Sequence, residues 1–330
     1  MTSLGLGAWR SILFVPGDRP DRYAKALAAG ADAVSIDLED AVAPGRKAEA
    51  RGSVVRLLAE MSTPSRRDTG TPAAPRPHII VRVNDPESDE GRRDAAALAG
   101  GPTPDAFMIP KVTTSEGLRN AWRLLGADTP LVPIIETALG LENAARIGAV
   151  SPVSPAGAVS PAPAAPMVAA LIFGGFDLSA ELGAKPGWET LLYARSRVVH
   201  AAALSGLDAI DMPSRDLADM SGLRTEAVKA RSLGYAGKVA IHPAQIPVIH
   251  EAFTPSTEEV QRARRVIDAD RAAGGGAVAL DGRMVDRPLV EAASRLLARA
   301  REGSAGSRMS PRSQPASTDR ANAPDGRVTS

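Results

Sequence analysis

Glu136 ends the apolar run LVPII (131–135), and Asp177 closely follows the run AALIFGGF (169–176). In both places an apolar, β-rich stretch stops at a carboxylate, and a glycine-containing turn and a helical stretch come next. A buried parallel strand that delivers a side chain to the rim of a sheet has this form. Two carboxylates from successive strands make a hard oxygen-donor pair. With no cysteine and only four histidines to compete, that pair suits Mg²⁺, with Mn²⁺ as the substitute, rather than Zn²⁺. Metal-assisted chemistry is the expectation.

Other charged residues stand at equivalent places. The segment IDLEDAV (36–42) crowds Asp37, Glu39 and Asp40 together, and three acids so close require a cation or an arginine nearby. The bland alternative for Asp40 is a helix cap. Arg82 lies in IIVRVN (79–84) among β-branched neighbours, so its guanidinium needs an anionic partner. That partner is a substrate or one of the strand-end acids. Lys111 follows FMIP (107–110), placed to reach the site or to pair with Glu136. In FVPGDRPDRYAKAL (14–27) the cluster Arg19, Arg22 and Lys25 is either a phosphate-binding group where a loop enters a helix or a solvated face. His242 is read as a structural histidine, and His78, His200 and His250 carry no functional weight. The acids and the arginine together suit an oxyacid bound on a metal and an enolate stabilised beside it.

The elements that must position these groups recur regularly. Eight apolar runs, at 11–15, 33–38, 78–83, 106–110, 131–135, 169–174, 207–212 and 238–242, mostly leave room for a helix between them. Such alternation predicts an α/β fold, a (β/α)₈ or TIM barrel over residues 1–255, with a doubly wound open sheet as the alternative. Two Pro/Ala/Ser/Gly-rich stretches, about 62–77 and 151–166, read as mobile surface inserts. A C-terminal helical segment, 256–300, opens with Ser256 and Glu259 in capping-box spacing and has Pro288 in the first turn of its last helix. It reads as a lid or oligomer arm, with GGGAVAL (274–280) as flexible linker. Residues 301–330 are expected to be a disordered tail.

Composition narrows the classes. The chain has 330 residues, 44% apolar, with a net charge of +1 and a sequence pI near 8.1. Nothing in that balance attracts nucleic acid or a membrane surface. No signal-peptide pattern or membrane-length apolar run is present, so a cytoplasmic location is expected. No GxGxxG or P-loop pattern is present either, which disfavours nucleotide-dependent chemistry.

The motifs RSILFVPGDRPDRYAKA, SIDLEDAVAPGRKAEAR, VRVN, PIIETALG, FGGFDLSAELG, GKVAIHPAQI and LDGRMVDRP occur in that order. Together they resemble the citrate lyase β-subunit-like CoA-ester lyases, the malyl-CoA lyase group of the HpcH/HpaI aldolase superfamily, from about Arg10 to Ala300. The resemblance implies a TIM-barrel lyase, assembled as a trimer or hexamer, that acts on an acyl-CoA thioester and a small 2-oxo acid. It implies Mg²⁺ on Glu136 and Asp177, with Glu39 and Asp40 steadying the metal's waters. It also implies Arg82 on the substrate and enolate, and Arg19 and Lys25 near the CoA phosphates. Asp286 becomes the acid/base group, carried on a segment that closes over a neighbour. A related branch, the CoA-free pyruvate aldolases, resembles DxEH at the second strand. Here Asp40 replaces that histidine and the Asp286 segment is added, and both departures favour a thioester. The β subunit of a citrate lyase complex is the remaining alternative.

Overall fold

The computed structural model describes residues 9–62, 76–126, 128–150, 167–274, 276 and 278–306. Eight parallel strands close into a barrel in sequence order: β1 (Ser11–Pro16), β2 (Ala33–Asp37), β3 (His78–Arg82), β4 (Ala106–Ile109), β5 (Leu131–Ile135), β6 (Ala170–Phe173), β7 (Asp208–Asp211) and β8 (Gly237–Ala240). Pairing of Ser11, Ile12 and Leu13 with Lys238, Val239 and Ala240 joins the first strand to the last. Closure excludes the open-sheet alternative. Each strand lies within two residues of its expected position.

Near-continuous burial explains why the strands read as apolar runs. One or two apolar side chains of each strand point into the barrel, including Ile12, Ile80, Met108, Ile134, Ile172 and Val239, which belong to an inner cluster. Their neighbours Leu13, Ile36, Val81, Phe107, Ile135 and Phe173 pack outward against the helices. Each such side chain contributes about 1.5–3 kcal/mol on burial.

The helices are α1 (Tyr23–Leu27), α2 (Lys47–Ser62), α3 (Asp89–Leu98), α4 (Ser115–Leu124), α5 (Ala138–Gly148), α6 (Gly175–Glu181), α7 (Leu192–Ser205), α8 (Met220–Leu233) and α9 (Gln245–Phe253). Ser88, Thr114, Thr137 and Asp219 cap α3, α4, α5 and α8, each accepting from the amide three residues on. These caps define where the chain turns at the carboxyl ends of the strands, the mouth of the barrel. The opposite end, the floor, is tied by Arg10, which donates from Nε and Nη2 to Asp32 at 3.0 and 2.8 Å.

After the barrel come α10 (Thr257–Ala272), strands β9 (Val278–Leu280) and β10 (Arg283–Val285), and α11 (Arg287–Gly306). Ser256 and Glu259 form the expected capping box. The last three residues of the expected linker, Val278–Leu280, are instead one strand of an antiparallel hairpin. Asp281 and Gly282, both at positive φ (50° and 73°), make its turn, an Asp-Gly hairpin signal that the reading of a flexible linker passed over. Ala263, Val266, Val285 and Ala293 give this segment a small core of its own. It meets the barrel at the floor, through Arg231–Glu259 (2.8 Å) and Arg299–Asp208 (3.1 Å). The last helix runs to Gly306, past the expected boundary at Ala300. The two inserts, apart from Ser62, Arg76 and Pro77, and the tail beyond Gly306 lie outside the described residues. No helix among the described residues is long and apolar enough to cross a membrane.

A charged network is buried between the barrel and its helix layer. Asp211 accepts from Arg195 Nε at 3.0 Å and from Lys238 Nζ at 2.7 Å, and these three residues are at most 3% exposed. Removing the shared anion would leave two buried cations uncompensated, apart from Glu226 at 3.4 Å from Lys238. Asp211→Ala is therefore expected to lower the unfolding free energy by roughly 3–5 kcal/mol in a denaturant titration. A loss below about 1 kcal/mol would show that the network is dispensable.

Candidate active site

A cavity of about 720 Å³ opens at the mouth, with Asp37, Asp40, Arg82, Glu136 and Asp177 in its wall. Asp37 and Arg82 end adjacent strands in register. Their pairing is bidentate: Arg82 Nε donates to Asp37 Oδ1 at 2.8 Å and Nη2 to Oδ2 at 2.6 Å. The same carboxylate accepts from the amides of Glu39 and Ala41 at 2.8 and 3.2 Å, which fixes the loop after β2. Arg82 therefore has the structural partner that burial demands, and its Nη1 also stands 2.9 Å from Glu39 Oε2. Burial opposes its charge, yet Asp37, Glu39 and Glu136 together raise its pKa further above the ordinary value. Its Cζ lies 5.0 Å from the centre of the Phe14 ring, a contact that helps to hold the fork in place.

Glu136 directly follows β5 and immediately precedes the cap Thr137 of α5. It is 3% exposed, and its Oε1 accepts from the Lys111 amide at 2.7 Å. Gly174 leaves room for it, since a Cβ there would fall 2.7 Å from Glu136 Oε2. Burial first, then the charge of Glu39, and also contact with Asp177, push the Glu136 carboxyl well above the usual carboxylate range, against the Lys111 amide. Asp177 is exposed and lies in the first turn of the short helix α6, not at a strand end as expected. The chain leaves β6 through two glycines, and the carboxylate comes round on the helix to meet Glu136.

Glu39 is 5% exposed and held by Lys111 Nζ at 2.9 Å from its Oε1. Burial raises its pKa, partly offset by Arg82 and Lys111. Asp40 is exposed on the cavity wall and caps no helix. Lys111 reaches both acids: it pairs through its ammonium with Glu39 and through its amide with Glu136.

Of the basic cluster on the first loop, Arg22 and Lys25 line the cavity. Arg19 instead folds onto Asp21, two residues away, with hydrogen bonds of 2.9 and 2.7 Å on the exposed surface. Asp286 is exposed and does not line this cavity. It caps α11, accepting from the Leu289 amide at 3.1 Å, on the segment attached to the floor. The cavity wall also contains Phe176, Arg215 and His242. Arg215 lies 3.7 Å over the Phe176 ring. Sequence reasoning missed this pair because neither residue belongs to a strand-end pattern. Pro213, two residues ahead of Arg215, was the one cue that the chain turns there.

The donors present fit a small divalent cation. They are oxygens only, and the ionisation of Glu136 is opposed by burial and by neighbouring acids, a penalty that a cation would relieve. No group of three acidic, histidine or cysteine residues is arranged around a common point among the described residues. A pair of carboxylates with water and substrate completing the shell is how Mg²⁺ is commonly held.

The sign of the Glu136 shift gives a stability test. A folded-state pKa above the unfolded one (reference value 4.5) means that ionisation disfavours the fold. Stability is then lost as pH rises from the unfolded value through the folded one. With a chelator present, Glu136→Gln is expected to melt at a higher temperature than wild type at about pH 8 and at a similar temperature near about pH 4. A variant less stable at both pH values would contradict the environment described.

Comparison with known proteins places the chain in a family. The sequence profile of the HpcH/HpaI aldolase/citrate lyase family matches residues 10–243. A citrate lyase subunit beta-like protein of Deinococcus radiodurans is 38% identical over 87% of this chain and 96% of its own length. A (3S)-malyl-CoA thioesterase of Cereibacter sphaeroides is 34% identical over 88% of this chain and 94% of its own. Among solved structures, the protein CitE from Mycobacterium tuberculosis in complex with magnesium, acetoacetate and coenzyme A superposes with a TM-score of 0.70. It is 34% identical, and the match covers 89% of this chain and 99% of that one. The chain belongs to the HpcH/HpaI aldolase/citrate lyase family of enzymes.

Proposed function

We propose that this protein is a Mg²⁺-dependent CoA-ester lyase. It cleaves, or forms by condensation, a C–C bond of a malyl-, citramalyl- or citryl-type acyl-CoA, with a 2-oxo acid and acetyl- or propionyl-CoA as the other partners. The observation that carries the reading is the buried Glu136 in contact with exposed Asp177, in the same cavity as an arginine already clamped by Asp37. The magnesium-, acetoacetate- and coenzyme A-bound relative supports it.

Glu136 and Asp177 would hold the ion, with Glu39 and Asp40 steadying its outer waters. When bound, Mg²⁺ draws electron density from the oxygens of the 2-oxo acid and so polarises its carbonyl. The chain's own residues do the rest. Not all N–H groups of Arg82 are used by Asp37 and Glu39, and the remainder neutralise the thioester oxygen as it gains charge. In cleavage the 2-hydroxyl gives its proton to water in the open cavity mouth and becomes the carbonyl of the oxo acid. The electrons of the breaking C–C bond pass to the thioester enolate, whose carbon takes a proton from Asp286. Condensation reverses each step. Lys25, with Arg22 beside it, is placed for the CoA phosphates, and Arg19 would join them by exchanging Asp21 for phosphate.

Asp286 lies on a segment seated on the floor, outside the lining of its own cavity, so the reading includes a homo-oligomer, a trimer or hexamer, in which it reaches a neighbour. Neither nucleic acid nor membrane enters this reading, and the assigned place is the cytoplasm. The function is tested by assaying the purified protein, with Mg²⁺ or with chelator, on malyl-, citramalyl- and citryl-CoA and on a 4-hydroxy-2-oxo acid without thioester. Metal-dependent cleavage of at least one thioester is expected, and turnover of only the thioester-free substrate would overturn the reading in favour of an aldolase.

The shared site has its own test. Asp286→Asn is expected to bind Mg²⁺ and oxo acid normally but to lose α-proton exchange of acetyl- or propionyl-CoA. Mixed with inactive Glu136→Ala chains, it should regain part of the activity, because mixed assemblies rebuild some complete sites. No rescue after verified subunit exchange would place Asp286 in its own chain's mechanism or outside the mechanism.

A further inference from the structure

Lys111 is one of two non-glycine residues with a left-handed backbone among those described (φ 53°); the other sits in the hairpin turn. A side chain in that region carries a steric cost and persists where the surroundings enforce it, most often at functional sites. The enforcement comes from α5. A Cβ on Gly140 would stand 2.3 Å from the Val112 carbonyl oxygen, so the loop after β4 lies directly against that helix. Asn143 Nδ2 also donates to the Thr113 oxygen at 2.9 Å. The helix that clamps this loop is the one that Glu136 and Thr137 lead into.

Held this way, one residue serves two carboxylates. Its amide donates to Glu136 Oε1 at 2.7 Å and its ammonium to Glu39 Oε1 at 2.9 Å. Both acids therefore lie within the reach of a single lysine. Glu39 still has spare capacity: its buried Oε2 stands 2.9 Å from Arg82 Nη1 without an aligned hydrogen bond. It is a third carboxylate beside the Glu136–Asp177 pair, kept out of that pair by cations.

A third carboxylate would change what the site can do. Each added anionic ligand strengthens cation binding but removes a coordination position, and a reacting substrate needs open positions. We infer that Lys111 is a positioning residue that withholds Glu39 from the metal, so that the Glu136–Asp177 site stays open to the two oxygens of a 2-oxo acid. This rests on the metal site assigned under the proposed function. The Lys111 side chain is 45% exposed, so its ammonium can be removed without emptying a core position.

The test is calorimetric Mg²⁺ titration without substrate, together with steady-state kinetics of condensation, on wild type, Lys111→Met, Lys111→Gly and Lys111→Arg. Lys111→Met is expected to bind Mg²⁺ at least roughly fivefold more tightly, because Glu39 joins the ion, while kcat/KM for the 2-oxo acid falls at least about tenfold. Lys111→Arg should restore both values. Glycine tolerates the left-handed backbone, so Lys111→Gly should reproduce Lys111→Met and carries the test should the latter fail to fold. A lysine that only supports the fold would lower metal affinity and activity together. Unchanged or weaker Mg²⁺ binding in the methionine and glycine variants would overturn this inference alone. A wild-type chain that binds no Mg²⁺ would remove the metal site, and this inference with it.

Discussion

Excess negative charge at the mouth of the barrel is the constraint around which the site is arranged. Asp37, Glu39, Asp40, Glu136 and Asp177 gather there, and the cations set directly against these carboxylates are Arg82 and Lys111. Burying like charges together is costly, and the structure answers in two ways. Arg82 is fixed between Asp37 and Glu39, where its charge offsets the acids behind it without using all its N–H groups. Glu136 and Asp177 are left in contact and without a cation of their own, and Glu136 responds with a raised pKa. A divalent ion is the complement that such a pair lacks.

The barrel separates the parts that hold from the parts that react. The floor and the helix layer are tied by Arg10–Asp32 and by the Arg195–Asp211–Lys238 network, away from the mouth acids. The mouth is built from strand ends, a left-handed lysine, a glycine against Glu136 and caps that turn the chain at once into helices. Such a rim tolerates strain because the closed, fully paired barrel beneath it holds the strand ends in place. The C-terminal helices and hairpin attach to the floor, away from the cavity.

The fold was legible because each strand is buried on both sides and so reads as an unbroken apolar run between helices. Glu136 and Arg82 were legible for the same reason, as charges at the ends of such runs. Asp177 was visible as a residue but not as a helical one, since the glycines that permit the turn say nothing of its direction. Arg19 read as a partner of Lys25, yet a local pairing with Asp21 takes it off the cavity. The linker concealed a hairpin because its strands are only three residues long. Lys111 could be placed near the site with Glu136 as a partner, but not with Glu39 on its ammonium, because a left-handed backbone at a lysine has no sequence signature. The Asp211–Lys238 pair was invisible because the sequence does not show the register that sets one beside the other on adjacent strands.

The central claim is that Glu136 and Asp177 form one divalent-cation site. Anomalous diffraction from a crystal grown with Mn²⁺ in place of Mg²⁺ tests it most directly. The account predicts an anomalous peak at ligand distance from a carboxylate oxygen of each residue, with Glu39 outside that distance. A well-occupied peak elsewhere in the cavity, or none at saturating Mn²⁺, would contradict it.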